Sequence, residues 1–153
     1  MGNPEPPPSP KGCTNFKVRH LARLLSRQYD AELAPTGLKI TQYTLLKHVL
    51  ELGPIAPGEL AQRMGMDPST LTRNVKPLAA LGWLTQAPGQ DGRSRLLALT
   101  PEGRAKLATA KGHWKAAQGA INARLGPQRV AALHALLDAC STLLQTGDPA
   151  ASA

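Results

Sequence analysis

With 153 residues, a formal charge of +8 from 18 Lys and Arg against 10 Asp and Glu, and a pI near 10.0, the chain can bury one core unaided by disulfides or metals. The positive excess fits either a polyanionic partner or a basic but inert solvated surface, and only the placement of the charges decides between them. Cys13 and Cys140 lack CxxC spacing and exclude a disulfide scaffold; with no signal-peptide pattern and no run near the roughly eighteen apolar residues of a membrane span, the expectation is a cytoplasmic protein without membrane contact.

Residues 1–14 carry five prolines, which fix φ and remove amide donors, so a disordered or polyproline-like tail is expected there. Over residues 15–33, Val18, Leu21, Leu25, Tyr29 and Leu33 recur at three-to-four spacing, the stripe of one helix, which Pro35 and Gly37 end. Thr41 is the expected cap of a second helix carrying Tyr43, Leu46, Val49 and Leu50, and Gly53-Pro54 closes it. Ile55-Ala56 is a very short strand candidate. Pro57 and Gly65 then bracket a short helix over 59–64, the first arm of a helix-turn-helix.

The fourth helix is the most sharply specified. Asp67 is suited to accept amide hydrogen bonds as its N-cap, Pro68 takes N1, and the helix should run to about Leu81. At about 100° per residue, Leu71, Val75 and Leu78 share one side, while Ser69, Thr72, Arg73 and Lys76 lie nearly opposite. Pro77 removes the amide that would bond to the Arg73 carbonyl, so a bend or local adjustment is expected near it.

The runs Trp83-Leu84-Thr85-Gln86 and Arg95-Leu96-Leu97-Ala98-Leu99 flank a turn-rich segment over 87–93 and read as a β-hairpin wing. Thr100-Pro101-Glu102 opens a long helix with the stripe Leu107, Ala110, Trp114, Ala117, Ile121 and Leu125, in which Trp114 reads as dimer core rather than a stacking platform. After the Gly126-Pro127 break, Val130, Leu133, Leu137, Cys140 and Leu144 form the seam of a final helix, with Cys140 expected in an apolar interior.

A polar stripe on a capped helix followed directly by a basic wing places two DNA-reading devices side by side. The stripe fits a major groove roughly 12 Å wide. Arg73 suits bidentate pairing with guanine O6 and N7; Ser69, Thr70, Thr72 and Lys76 suit phosphate oxygens; Asn74 suits adenine or phosphate. Asp91-Gly92-Arg93-Ser94-Arg95 puts two guanidinium groups at the tip and return of the hairpin, where Arg93 can enter a narrow minor groove and Asp91 can orient it. The bland alternative is a turn closed by an Asp91–Arg93 surface ion pair, worth roughly 0–1 kcal/mol.

Glu59-Leu60-Ala61-Gln62-Arg63-Met64, Ser69-Thr70-Leu71-Thr72-Arg73, Leu81-Gly82-Trp83-Leu84, and Asp91-Gly92-Arg93-Ser94 through Leu99-Thr100-Pro101-Glu102-Gly103 together resemble, in order and spacing, the motifs of the MarR family. The resemblance spans roughly residues 16–144 and departs at Gln86, where the family commonly has a basic residue and where one DNA-backbone contact is therefore expected to be missing. It implies a mainly α fold with a small β-hairpin wing: a winged helix-turn-helix DNA-binding domain at 37–100, flanked by N- and C-terminal dimerisation helices at 15–36 and 101–146, with a flexible tail at 147–153. It also implies a homodimer that binds double-stranded DNA at a pseudo-palindromic promoter site as a repressor, released by a small aromatic or anionic effector.

The effector candidates are Arg19, His20, Arg23, Tyr43 and His48 on the first two helices, where the family's pocket is often lined; each alone reads more readily as surface solvation or a dimer contact. Cys13 resembles the sensing cysteine of the family's hydroperoxide branch, offset by about two residues and with Ile40 where a second tyrosine would fall, so an oxidant-sensing repressor is the alternative and a spare exposed thiol the plainer reading. A protein-interaction module on the same fold is the other alternative. His20, His48, His113 and His134 are scattered singly, so no metal and no cofactor are expected, and without a phosphate loop, nucleophile elbow or paired carboxylates, neither is enzymatic activity.

Overall fold

The structure, a computed structural model, describes residues 9–146. The elements in chain order are α1 (Thr14–Leu33), α2 (Ile40–Leu52), α3 (Pro57–Arg63), α4 (Pro68–Ala80), β1 (Leu84–Pro88), β2 (Arg95–Leu99), α5 (Pro101–Leu125) and α6 (Pro127–Gln145), with a single 3₁₀ turn, Ala34–Thr36, between α1 and α2. Residues 1–8 and 147–153, where most of the expected tails fall, lie outside the described residues.

The apolar stripes converge as their spacing requires. Leu33 from α1, Leu45, Leu46 and Val49 from α2, Leu60 from α3, and Leu71, Val75 and Leu78 from α4 close over Leu84 and Leu97 of the hairpin and Leu107 of α5. Burying one such side chain contributes roughly 1.5–3 kcal/mol, so this layer holds the helix-turn-helix and the base of the wing together. Ile55 exchanges both main-chain hydrogen bonds with Leu97, at 3.0 and 2.8 Å, and so joins the α2–α3 connection to β2 as a one-residue third strand.

Helix α2 begins at Ile40, with Lys39 rather than Thr41 as its N-cap. Two amides that would otherwise be unpaired at this end are taken by carboxamide and carboxylate groups: Lys39 N–H donates to Gln42 Oε1 at 3.0 Å, and Ile40 N–H to Asp30 Oδ1 of α1 at 2.8 Å. The cap is tertiary, so no local Ser or Thr marks it, and Thr41 lies two residues past the true N-cap.

The hairpin is longer than its turn chemistry suggests. Ala87 and Pro88, expected in the turn, continue β1 and pair with Leu96 and Arg95. A two-stranded hairpin has an open edge, and a proline at its end costs no ladder bond. Gly103, in the first turn of α5, packs against the main chain of Trp83, so that a side chain here would overlap the Trp83 carbonyl. That contact seats α5 on the junction of α4 and the wing.

Helix α5 lies along α1 and fixes it through a hydrogen bond from the Tyr29 hydroxyl to Gln118 Oε1. Trp114 is half-buried against its own chain, stacked on Tyr43 with centroids 6.0 Å apart and planes within 10°. Helix α6 buries no residue at all, and Cys140, expected in an apolar interior, is exposed. The apolar seam of α6 exists as read, but this chain does not cover it.

Candidate nucleic-acid interface

Helix α4 presents its polar face as the spacing requires: Leu71, Val75 and Leu78 are buried, while Ser69, Thr72, Arg73, Asn74 and Lys76 are exposed and Thr70 is half-buried on the flank. Asp67 caps the helix, yet by hydroxyls rather than amides. Its carboxylate accepts from Ser69 Oγ at 2.9 Å and Thr70 Oγ1 at 2.5 Å. The Thr70 hydroxyl, then that of Ser69, holds the Asp67 carboxyl below the usual carboxylate range, so it is ionised at neutral pH. Thr72 Oγ1 donates to the Pro68 carbonyl at 2.9 Å, and Arg73 Nη2 reaches Thr70 Oγ1 at 3.4 Å.

Sequence reasoning missed the far side of this face. Arg73, Asn74 and Pro77 share a cleft of about 130 Å³ with Lys39, Thr41 and Gln42, so the start of α2 stands beside the recognition helix. The signal was present in Lys39, a cation at a helix start where the dipole disfavours it.

A three-residue turn over 81–83 joins helix α4 to the wing: Trp83 N–H donates to the Leu78 carbonyl at 3.0 Å, and β1 begins at Leu84. At the wing tip, Asp91 Oδ1 accepts from Arg93 N–H at 3.0 Å, Ser94 N–H at 2.9 Å and Ser94 Oγ at 2.8 Å. The Ser94 amide, followed by the Ser94 hydroxyl and the Arg93 amide, lowers the Asp91 pKa. Among the described residues the ion pairs are Lys47–Glu51 at 2.5 Å and Arg63–Glu59 at 3.9 Å. Asp91 therefore organises the main chain of the turn and leaves the Arg93 guanidinium free, contrary to the surface ion pair that the sequence also allowed. Arg95 is exposed opposite Pro88.

The five effector candidates do not meet. Arg19 and Arg23 line an open groove of about 380 Å³ on α1, His20 stacks on Phe16 at 6.2 Å, and His48 Nδ1 faces the Thr44 carbonyl of its own helix at 2.8 Å. Tyr43 belongs elsewhere, to a cleft of about 250 Å³ between α2 and α5 lined by Lys47, Leu50, Arg104, Leu107 and Lys111. Burial pushes its phenol pKa up. Cys13 is exposed at the N-cap of α1, its carbonyl accepting from Lys17 N–H at 3.1 Å. Among the described residues no three His, Cys, Asp or Glu side chains gather as a metal site, and no helix is long and apolar enough to cross a membrane.

A family model described as MarR family matches residues 36–94, the stretch from the end of α1 to the wing tip. The HTH-type transcriptional regulator YwoH of Bacillus subtilis is 30% identical over 90 residues, 59% of this chain and 66% of that protein. The multiple antibiotic resistance protein MarR of Salmonella typhimurium is 35% identical over 74 residues, 48% of this chain and 51% of that protein. The chain thus spans from half to about two thirds of the curated relatives it matches. Among solved structures, the Mycobacterium tuberculosis transcriptional regulator MosR in complex with DNA is 33% identical, with a TM-score of 0.70 over 84% of this chain and 98% of that one.

Proposed function

The chain belongs to the MarR family of transcriptional regulators, which is not a class of enzymes, and from that premise we propose that it binds a pseudo-palindromic promoter site in double-stranded DNA as a homodimer. The observation that carries this is the continuity of two cationic devices: Arg73 and Lys76 on α4, and Arg93 and Arg95 on a wing whose root is hydrogen-bonded to the end of α4. Arg73 supplies guanine readout, Asn74 reads adenine or a phosphate, Lys76 and Arg95 take phosphate, and Arg93, freed by Asp91, enters the minor groove. The DNA complex of MosR, similar over nearly its whole length, supports the same partner.

The homodimer rests on α1 and α6. Phe16 is 64% exposed, Leu136 64%, Leu143 73% and Leu144 79%, an apolar surface that a second copy covers. Two recognition helices then address major grooves about 34–36 Å apart. The regulator acts in the cytoplasm as a repressor, and a small aromatic or anionic effector seated between α2 and α5, against Tyr43 and Arg104, releases it by favouring a different spacing of the two winged units.

Fluorescence anisotropy with a labelled duplex from the protein's own promoter region, random duplex as competitor and salt varied, tests the reading. Wild type is expected to prefer the promoter duplex over random DNA by about 10³-fold or more, and an Arg73→Ala/Arg93→Ala variant to lose that preference. Equal weak binding of both proteins to every duplex would contradict it and favour a protein-interaction module.

A further inference from the structure

We propose that Ser69 and Thr72 read the exocyclic amino groups of bases, adenine N6 or cytosine N4, rather than phosphate oxygens, and that Thr70 is a positioning residue for Arg73. This rests on the DNA-binding reading above and specifies the chemistry of the half-site.

A serine or threonine hydroxyl has one proton and two lone pairs. On α4 every such proton is spent inside the protein: Ser69 on Asp67 Oδ1, Thr70 on Asp67 Oδ2, Thr72 on the Pro68 carbonyl. What remains to face DNA is acceptor. Phosphate oxygens, guanine O6 and N7 and thymine O4 are acceptors too, so they cannot pair with these groups; in the major groove only the adenine N6 and cytosine N4 amino groups donate. Two of the three commitments are to an ionised carboxylate, and charge-assisted hydrogen bonds are roughly twice as strong as neutral ones, so turning these protons toward DNA is disfavoured. The exposed negative charge of Asp67 at the same end of the helix also opposes phosphate.

Thr70 differs from its neighbours. One of its lone pairs already takes Arg73 Nη2 at 3.4 Å, and its proton is held by Asp67, so it links carboxylate to guanidinium and sets the direction of the arginine. Ser69 and Thr72 share the outward side with Arg73 at about 100° per residue. The row therefore sets two acceptors, Ser69 and Thr72, beside one donor, Arg73, and its complement is a guanine adjacent to an amino-bearing adenine or cytosine.

The test starts by selecting duplexes from a randomised pool with the full chain. No enriched sequence would overturn the DNA reading and this inference with it. In the enriched half-site, each adenine is replaced by purine deoxyriboside and each cytosine by 2-pyrimidinone deoxyriboside, analogues that lack only the amino group. Wild type is expected to lose about 5- to 10-fold in affinity at one or two positions, and Ser69→Ala or Thr72→Val to be insensitive at its own position. Asp67→Ala, by releasing two hydroxyl protons, is expected to tighten binding to random duplex and blunt that discrimination, and Thr70→Val to weaken guanine preference alone. Analogue substitutions without effect on wild type, with Ser69→Ala and Thr72→Val weakening all duplexes equally, would show phosphate donation and overturn the proposal.

Discussion

The Lys106 ammonium donates to the main-chain carbonyl of Thr36 at 2.6 Å. The same nitrogen stands 5.0 Å from the centre of the Trp83 ring, so one α5 side chain ties the α1–α2 connection to the root of the wing. Thr36 is itself buried, its hydroxyl donating to Leu33 O at 2.6 Å. Lys106→Met keeps the apolar stem and removes both interactions, leaving the carbonyl without its partner. A charged hydrogen bond and a cation–π contact together place the loss at about 2 kcal/mol. Urea denaturation should show a lower midpoint at unchanged slope; an unchanged midpoint would show that the tie contributes nothing.

Two glycines of α5 should respond in opposite directions. At Gly103 an added Cβ would overlap the Trp83 carbonyl, a main-chain atom that cannot rotate aside, whereas around Gly112 nothing lies within contact distance. Gly103→Ala is expected to cost about 2–4 kcal/mol by prising α5 from the wing root, and Gly112→Ala to stabilise the helix by about 0.5–1 kcal/mol. Thermal unfolding of the two variants under one condition checks both signs.

The wing tip carries an acid-sensitive clasp. The Asp91 pKa in the folded chain lies below its ordinary value of 3.8, so its contribution is complete above about pH 4 and is lost as pH falls through the folded value. Protection of the Arg93 and Ser94 amides, taken as the exchange rate relative to an unstructured peptide at the same pH, should fall on acidification through that range in wild type. In Asp91→Ala the two amides should be unprotected at every pH, and equal protection in both proteins would show that the carboxylate does not hold the turn.

In the proposed homodimer a second copy covers α6. Leu137→Glu/Leu144→Glu puts two charges on its exposed apolar seam without touching the core of the chain. Sedimentation equilibrium should give two chains for wild type and one for the variant, with cooperative unfolding of the winged unit retained. A wild-type monomer would remove the dimeric part of the proposed function.

How far the sequence could be read depended on whether each signal was local. The order of elements, the extent of α4 and the presence of the wing were legible because Pro57, Pro68 and Pro101 mark helix starts and because Leu71, Val75 and Leu78 fall on one stripe; α3 begins at Pro57 itself, two residues before the expected Glu59. The α2 start lies two residues before the one that Thr41 implies, because the carboxylate that takes the Ile40 amide is that of Asp30, ten residues upstream. Periodicity marks Cys140 as apolar-seam without saying whose surface covers it, and it is exposed in the single chain. Within the candidate site, residue types identified the polar face of α4, but where each hydroxyl proton goes depends on Asp67 and on the Pro68 carbonyl in three dimensions. The effector candidates do not line one cleft in the single chain. Their shared helices implied a common pocket, yet helical phase turns Arg19 and Arg23 away from the α2–α5 cleft that holds Tyr43.

Footprinting of the protein on its own promoter region, wild type against Arg73→Ala/Arg93→Ala, addresses the DNA-binding claim most directly. The expected result is one protected, pseudo-palindromic stretch with two half-sites about one helical turn apart, absent in the variant at concentrations that saturate wild type. Uniform weak protection along the whole fragment, the same for both proteins, would contradict sequence-specific binding by this chain.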